Sequence, residues 1–389
     1  MDYAFTERVR TLKQEGAYAV LARAKALEAQ GRDIIHLEIG QPDFPTPAFI
    51  AQAGAEAIVA GHTRYTSPAG SNDLRTAIAE TAGEQRGLTI APEEVIVGPG
   101  AKPAIFYAAM ALLNLNDEVI IPSPGFPSYA SIVEVCGGVP VPVQLDKKEL
   151  YNFDMADFEN KINGRTKLII HNSPSNPTGG VSPTTVLEQI ANAARRVDAW
   201  IISDEIYGRL VYDGEAPSIA ALPGMRERTI IVDGFSKTYA MTGWRLGYGI
   251  MPATLAERVG LLINHSVGCT ADFTQVAGVA ALRGDQSTVA VMRESFRERR
   301  DRTVAALNSI PGVQCAMPHG AFYVFPDVSS FGRTSKEIAD YLLDVADVAL
   351  LAGSDFGAGG EGYLRISYAT AWEQIEHAIE RIGTALAKL

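Results

Sequence analysis

The feature that most constrains this chain is a series of short apolar runs separated by helical or turn-like stretches. "EVIVG" (94–98), "EVIIPSP" (118–124), "TKLIIHN" (166–172), "AWIISDE" (199–205) and "TIIVDGF" (229–235) are continuously apolar at their centres. Runs this short, with no polar alternation, read as strands buried on both faces. Helical stretches separate some of them. One is "KPAIFYAAMALLN" (102–114), with a proline near its start, where proline is tolerated; another is "TTVLEQIANAARR" (184–196). This alternation predicts an α/β fold with a mostly parallel sheet flanked by helices. In such sheets ligands gather beyond the carboxyl ends of the strands.

Several polar residues fall at those ends. Asn176 follows the 166–172 run, Asp204 and Tyr207 close the 199–205 run, and Lys237 follows the 229–235 run. "GPGAK" (98–102) follows the first run and opens a helix. A lysine held among converging strand ends has a use if desolvation lowers its pKa and frees the amine as a nucleophile. Each residue also has a plain structural reading. A lone lysine after a strand is ordinarily solvated, Asp204 could cap the next helix, and "GPGAK" could be a tight turn. Asn176 before a proline could be turn chemistry, and Arg245 a surface ion-pair residue. The case for a site rests on all of them occurring together, in order.

The flanking segments have a different texture. Residues 12–30 read as a helix leading into the short strand "DIIHLEIG", and "GQPDFPTP" (40–47) as a turn-rich hinge. After about residue 285 come the charged helix "MRESFRERRDRTVAALN" (292–308), the strand-like "GAFYVFPD" (320–327) and a final helix. For that helix, Thr370 and Glu373 predict a capping box, and Trp372, Ile375, Ile379, Ile382 and Leu386 an apolar stripe. The expected organisation is a large domain over 46–285 and a smaller α+β domain over 286–389, joined by the segment 1–45.

Composition narrows the function. The 389 residues are 47% hydrophobic with a formal net charge of −11, and no basic stripe of the kind that nucleic acid demands is present. No apolar run approaches the length of a bilayer span, and the start "MDYAFTERVRTLK" carries acids and lacks an apolar signal region. Three scattered cysteines and six histidines give neither a disulfide framework nor metal spacing, which suits a reducing cytoplasm.

The stretch "SKTYAMTGWRLGY" (236–248), with "NPTGG" (176–180), "SDEIY" (203–207), "GQPDF" (40–44) and "RISYA" (365–369) in that context, resembles the fold-type I aminotransferases of the aspartate aminotransferase family, across essentially the whole chain. The resemblance implies pyridoxal 5'-phosphate as cofactor, held as an imine on Lys237. That amine would later shuttle a proton at the substrate Cα. Asp204 resembles the carboxylate paired with the pyridine nitrogen, keeping the ring an electron acceptor. Asn176 and Tyr207 resemble the pair on the cofactor's phenolic oxygen. Arg245, Gly100, Ala101, Lys102 and Ser236 match positions around the phosphate. Phe126 matches the aromatic stacked on the ring, and Tyr65 the tyrosine reaching the neighbouring subunit's phosphate, which implies a homodimer. Arg365 resembles the clamp on the substrate α-carboxylate, with Gly40 and Asn176 near it. Even without the resemblance, an arginine in so apolar a strand needs an anionic partner, from substrate or from a structural Asp or Glu.

Two departures bear on substrate. Gly234 stands where many relatives have serine, and Phe126 where many aspartate enzymes have tryptophan. Lys102 matches a lysine that some bacterial relatives use for the substrate's distal carboxylate, while a solvated lysine is the alternative. "GAGGEG" (357–362) fits G-x-G-x-x-G formally, but it precedes a strand and lacks the helix that dinucleotide binding needs. His171 lies close enough in sequence to Asn176 to back the site. The implied activity is ping-pong transamination in the cytoplasm between an L-amino acid, aspartate first, and a 2-oxo acid such as 2-oxoglutarate. Aromatic or alanine aminotransferase is the alternative, or β-lyase, synthase or oxidase chemistry with the same cofactor.

Overall fold

A computed structural model describes residues 4–10, 12 and 14–389. A helix over Gly16–Glu28 leads into strand β1 (Ile35–His36). Eight strands then build the main sheet: β2 (Val95–Gly98), β3 (Glu118–Ser123), β4 (Val139–Asp146), β5 (Asn152–Phe153), β6 (Thr166–Asn172), β7 (Trp200–Asp204), β8 (Thr229–Gly234) and β9 (Gly247–Ile250). Their order is β2-β9-β8-β7-β6-β3-β4-β5. Neighbours from β4 through β8 pair in parallel, while β9 runs antiparallel to both β2 and β8, and β5 antiparallel to β4. The mostly parallel sheet is therefore present, and its five apolar runs are β2, β3, β6, β7 and β8.

The continuous apolar runs follow from burial on both faces. In β6, Leu168 and Ile170 pack with the helices Lys102–Leu112 and Ala253–Asn264. Ile169 points the other way, against Leu187 and Ile190 of the helix Thr184–Val197. β9 escapes a reading for apolar runs because two of its four residues are glycine. Gly247 is needed there: a Cβ would collide with the backbone of Gly100 and Ala101, which crosses it after β2.

Two smaller sheets complete the fold. β10 (Tyr323–Val324), β11 (Val348–Ala349), β12 (Leu351–Ala352) and β13 (Leu364–Ser367) follow in chain order. β13 lies antiparallel between β10 and β12, and β1 pairs in parallel with β11, Ile35 opposite Val348. One core gathers Leu37, Phe296, Phe322, Leu342, Ile366 and Ile379 from the helices and strands around these sheets. The final helix spans Trp372–Leu386 and buries Ile375, Ile379, Ile382 and Leu386 as expected, but not its box. Ala371 is the capping residue and no side chain caps the end, because the helix begins one residue too late for Thr370 to reach it. A capping box forms instead at Thr334 and Glu337, ahead of the helix Ser335–Ala346. Residues 357–362 hold one short 3-10 turn, Ala358–Gly360, and lead into β13 with no α-helix between. Among the described residues no helix is long and apolar enough to cross a membrane, and no cluster of His, Cys, Asp or Glu could hold a metal.

Candidate active site

β6, β7 and β8 end at Asn172, Asp204 and Gly234, and a cavity of about 680 Å³ opens there. Lys237, Asp204, Tyr207, Asn176, Arg245 and Arg365 all line it, as do Gly40, Ala101, Lys102, Phe126 and Ser236. Residues spread over more than three hundred positions thus converge on one space.

Lys237 stands on a single helical turn, Phe235–Thr238, immediately after β8. Its Nζ donates to the Gly40 carbonyl at 2.6 Å and lies 5.8 Å from the Phe322 ring centre. Burial, then the nearby cations Arg365 and Arg245, push its pKa down to about 8, with Asp204 pulling the other way. At neutral pH roughly a tenth of the amine is then free, a few hundredfold more than for an ordinary lysine. Borohydride trapping of a small aldehyde on Lys237 will therefore rise with pH and level off above about 8, whereas surface lysines keep gaining toward 10.5. A Lys237 profile that tracks the surface lysines would refute this environment.

Asp204 is buried. Its Oδ2 accepts from Tyr129 Oη at 2.6 Å and its Oδ1 from the Ile206 backbone N–H at 3.2 Å. Burial nonetheless raises its pKa to about 6, with the Tyr129 bond opposing. Asn172 ties neighbouring strand ends together: its Nδ2 donates to the Asp204 carbonyl at 2.9 Å and its Oδ1 accepts from the Asn176 N–H at 2.9 Å. The side-chain Oδ1 of Asn176 is itself buried with no hydrogen-bond partner among the described residues. An orphaned polar atom costs about 1–3 kcal/mol, so a ligand group that pairs with it gains affinity.

Tyr207 and Tyr323 share a hydrogen bond at 2.8 Å between their hydroxyls, both rings buried. Arg365 packs over the Tyr323 ring at 4.6 Å and the Phe356 ring at 5.2 Å, and its Nη2 donates to the Glu38 carbonyl. Its Nε is buried without a partner, and burial lowers its pKa. No carboxylate of the described residues makes an ion pair with Arg365. Of the two partners weighed for this cation, structural acids lie nearby, since Glu38 and Asp355 favour its charge, but neither forms an ion pair with it, and an incoming anion would supply one.

The loop after β2 and Arg245 form a second polar wall. Gly100 has φ +105°, and a Cβ on it would press against the Arg245 guanidinium. Arg245 itself is exposed, sits at φ +53° and donates to the carbonyls of Thr242 (2.8 Å) and Pro99 (3.2 Å). A non-glycine residue in the left-handed region costs about 1 kcal/mol or more, a strain the surroundings must hold in place. The helix Lys102–Leu112 starts at this wall with no side chain on its leading N–H groups, which leaves them open to an anion. Lys102 pairs with Glu15 and lies 5.1 Å from the Phe126 ring centre.

Two candidates lie elsewhere. Tyr65 is 95% exposed and does not line this cavity. His171 does not reach the cavity; its Nε2 meets Ser182 Oγ at 2.9 Å, and burial lowers its pKa to about 4, so it is neutral. Sequence reading passed over Tyr129, Asn172, Tyr323 and Glu15. Asn172 closes an apolar run as Asp204 does and carried that same signal. Tyr129 and Tyr323 come from a helix and a distant strand, where nothing local marks them.

The family model for aminotransferase class I and II matches residues 32–382. This chain belongs to that family. It is 40% identical to the aspartate aminotransferase of Bacillus sp. (strain YM-2), over 98% of this chain and 99% of that one. The structure of Thermus thermophilus aspartate aminotransferase with maleate matches with a TM-score of 0.95 at 37% identity, covering 99% of this chain and all of that one. An aromatic aminotransferase from Pyrococcus horikoshii OT3 matches with a TM-score of 0.90 at 40% identity, over 94% and 99% of the two chains. Fold and activity class are thereby those expected from the motifs: an α/β aminotransferase.

Proposed function

We propose that this aminotransferase binds pyridoxal 5'-phosphate in the 680 Å³ cavity and exchanges amino groups between aspartate and a 2-oxo acid such as 2-oxoglutarate. The observation that carries the reading is the shared cavity of a lysine with pKa near 8 and a buried arginine whose Nε has no partner. The cofactor's chemistry fits the residues present. The buried Asn176 Oδ1 wants a hydroxyl partner, Asp204 offers a carboxylate to a ring nitrogen, and the glycine-lined wall at Gly100 suits a phosphate. When bound, pyridoxal phosphate supplies an aldehyde for amine exchange and a ring that takes up the electron pair freed at the substrate Cα.

The chain's own residues then have these roles. Lys237 carries the cofactor and, once freed, moves the proton at Cα, for which an amine with pKa near 8 is well matched. Asp204 holds the ring nitrogen protonated, with Tyr129 steadying the carboxylate. Asn176 and Tyr207 bond the phenolic oxygen, and Phe126 covers one ring face. Gly100, Ala101, Ser236 and Arg245 hold the phosphate, joined by Tyr65 of a second copy in a homodimer. Arg365 clamps the substrate α-carboxylate beside Gly40, and Lys102 receives the side-chain carboxylate. Residues 1–45 join 286–389 as the smaller domain beside the large domain 46–285. The three free cysteines suit a reducing cytoplasm.

Incubating purified holoenzyme with aspartate and 2-oxoglutarate tests this: glutamate should accumulate with one oxaloacetate each. Release of ammonia and pyruvate instead would mean β-elimination and defeat the reading. Lys102→Ala should raise KM for aspartate roughly tenfold, the worth of one charge-assisted contact, and leave aromatic donors within about twofold. Equal effects on both would leave Lys102 a solvent-facing lysine. A second donor class has its own support. Tyr18, Leu21, Ile39 and Phe126 give the cavity an apolar side, and one structural neighbour is an aromatic aminotransferase.

A further inference from the structure

Of the cations that line the cavity, Lys102 and Arg365 differ in how they are partnered. Arg365 makes no ion pair and its Nε is unpartnered, whereas Lys102 is paired with Glu15. Glu15 immediately precedes the helix Gly16–Glu28 in extended backbone, φ −61° and ψ 129°. An acidic residue there could bond the helix's own leading N–H groups, but the side chain makes no such bond. It turns into the cavity, where Oε1 accepts from both Lys102 Nζ and Ser128 Oγ, the latter at 2.7 Å. Burial would raise the Glu15 carboxyl, yet the Lys102 and Ser128 bonds hold it below the usual range.

The helix behind Glu15 is fixed from the opposite side. Arg23 reaches Asp340 at 2.7 Å and Asp344 at 2.6 Å, both on the helix Ser335–Ala346. Gly16 lies so close to Asp355 that a Cβ there would press on its carboxylate. Glu15 therefore extends from a helix tied to the C-terminal part of the chain across to the start of the helix Lys102–Leu112.

We propose that Glu15 is a built-in competitor for acidic substrates: its carboxylate takes the place at Lys102 that a substrate's side-chain carboxylate needs. This rests on the reading of Lys102 as the side-chain-binding cation. An amino acid with one carboxylate needs only Arg365 and meets no rival. A dicarboxylic one needs both cations and must first displace Glu15 from Lys102 and Ser128. The exchange is feasible because the pair is partly solvated, with Lys102 45% and Glu15 26% exposed, so its net strength is modest. Glu15 thus sets how strongly acidic donors are preferred over neutral ones.

Calorimetric titration of the holoenzyme with succinate, a dicarboxylate, and butyrate, its monocarboxylate counterpart, tests the assignment. Glu15→Gln should tighten succinate by roughly fivefold, the size expected of a half-exposed ion pair, and leave butyrate within about twofold. Ser128→Ala, which loosens the hold on Glu15 without changing any charge, should tighten succinate in the same direction. In a Lys102→Ala background, Glu15→Gln should have no effect on succinate. Unchanged or weaker succinate binding in Glu15→Gln overturns the proposal. So does equal tightening of both ligands, or tightening that persists without Lys102, since Glu15 would then act by general repulsion. Lys102→Ala alone separates the two readings. If it weakens succinate while Glu15→Gln does nothing, only the role of Glu15 falls; if it too does nothing, Lys102 reads no carboxylate.

Discussion

Replacing Lys237 with alanine will reduce transamination by roughly 10⁴-fold, the upper end of what is lost when a proton-transfer group is removed. The visible absorption of the lysine-bound cofactor will vanish with it. The fold should survive, because the Nζ hydrogen bond to the Gly40 carbonyl is the one polar contact that this side chain makes with another described residue. Removing an amine whose charged form is disfavoured by burial and by Arg365 and Arg245 relieves a conflict rather than creating one. Lys237→Arg sharpens the test. Arginine keeps the positive charge but stays protonated at neutral pH, so it offers no nucleophile and no base. Both variants should be inactive, and small primary amines added to Lys237→Ala should restore a fraction of the proton transfer. Turnover within tenfold of wild type in either variant would remove Lys237 from the chemistry.

The sequence made the main sheet legible wherever strands are buried on both faces. Leu168, Ile169 and Ile170 go to alternate faces, and both faces are covered, so no polar residue interrupts the run. β4 was not legible because its "VPVPVQLD" is half-exposed and rich in proline, which blurs the strand signal. β9 was hidden by glycines that serve the close passage of the loop at Gly100. The same logic divides the site. Lys237, Asp204 and Asn176 could be read because the parallel sheet dictates where ligands bind, and each follows a visible strand. Tyr129, Tyr323 and Glu15 act on residues 75, 116 and 87 positions away, and nothing in their local sequence records those partners. Arg365 lies between these cases: its placement in an apolar strand flagged a charge in need of a partner, and the structure leaves its Nε without one.

Asp204→Asn should separate the requirement for function from that for stability. Activity should fall roughly 10³-fold, since an amide cannot hold a ring nitrogen protonated as a carboxylate does. The cofactor-free protein should meanwhile become more stable at pH 7. Asp204 is an acid whose pKa rises from 3.8 to about 6 on folding, so the folded state disfavours its ionised form. A shift of that size corresponds to about 3 kcal/mol. That penalty is fully present above pH 6, fades as the folded carboxyl takes up its proton, and is gone below about 4. Asparagine keeps one acceptor oxygen for Tyr129 or for the Ile206 N–H but not for both, which returns about 1 kcal/mol. The net expectation is a gain of about 2 kcal/mol at pH 7 that disappears at pH 4. Urea denaturation of both cofactor-free proteins at the two pH values measures it. Saturating cofactor should reverse the order, because only the wild type gains a cationic partner for its buried carboxylate. If the variant were no more stable at pH 7, or equally favoured at both pH values, burial would not be straining Asp204. The carboxylate would then not be held in readiness for a positive ligand.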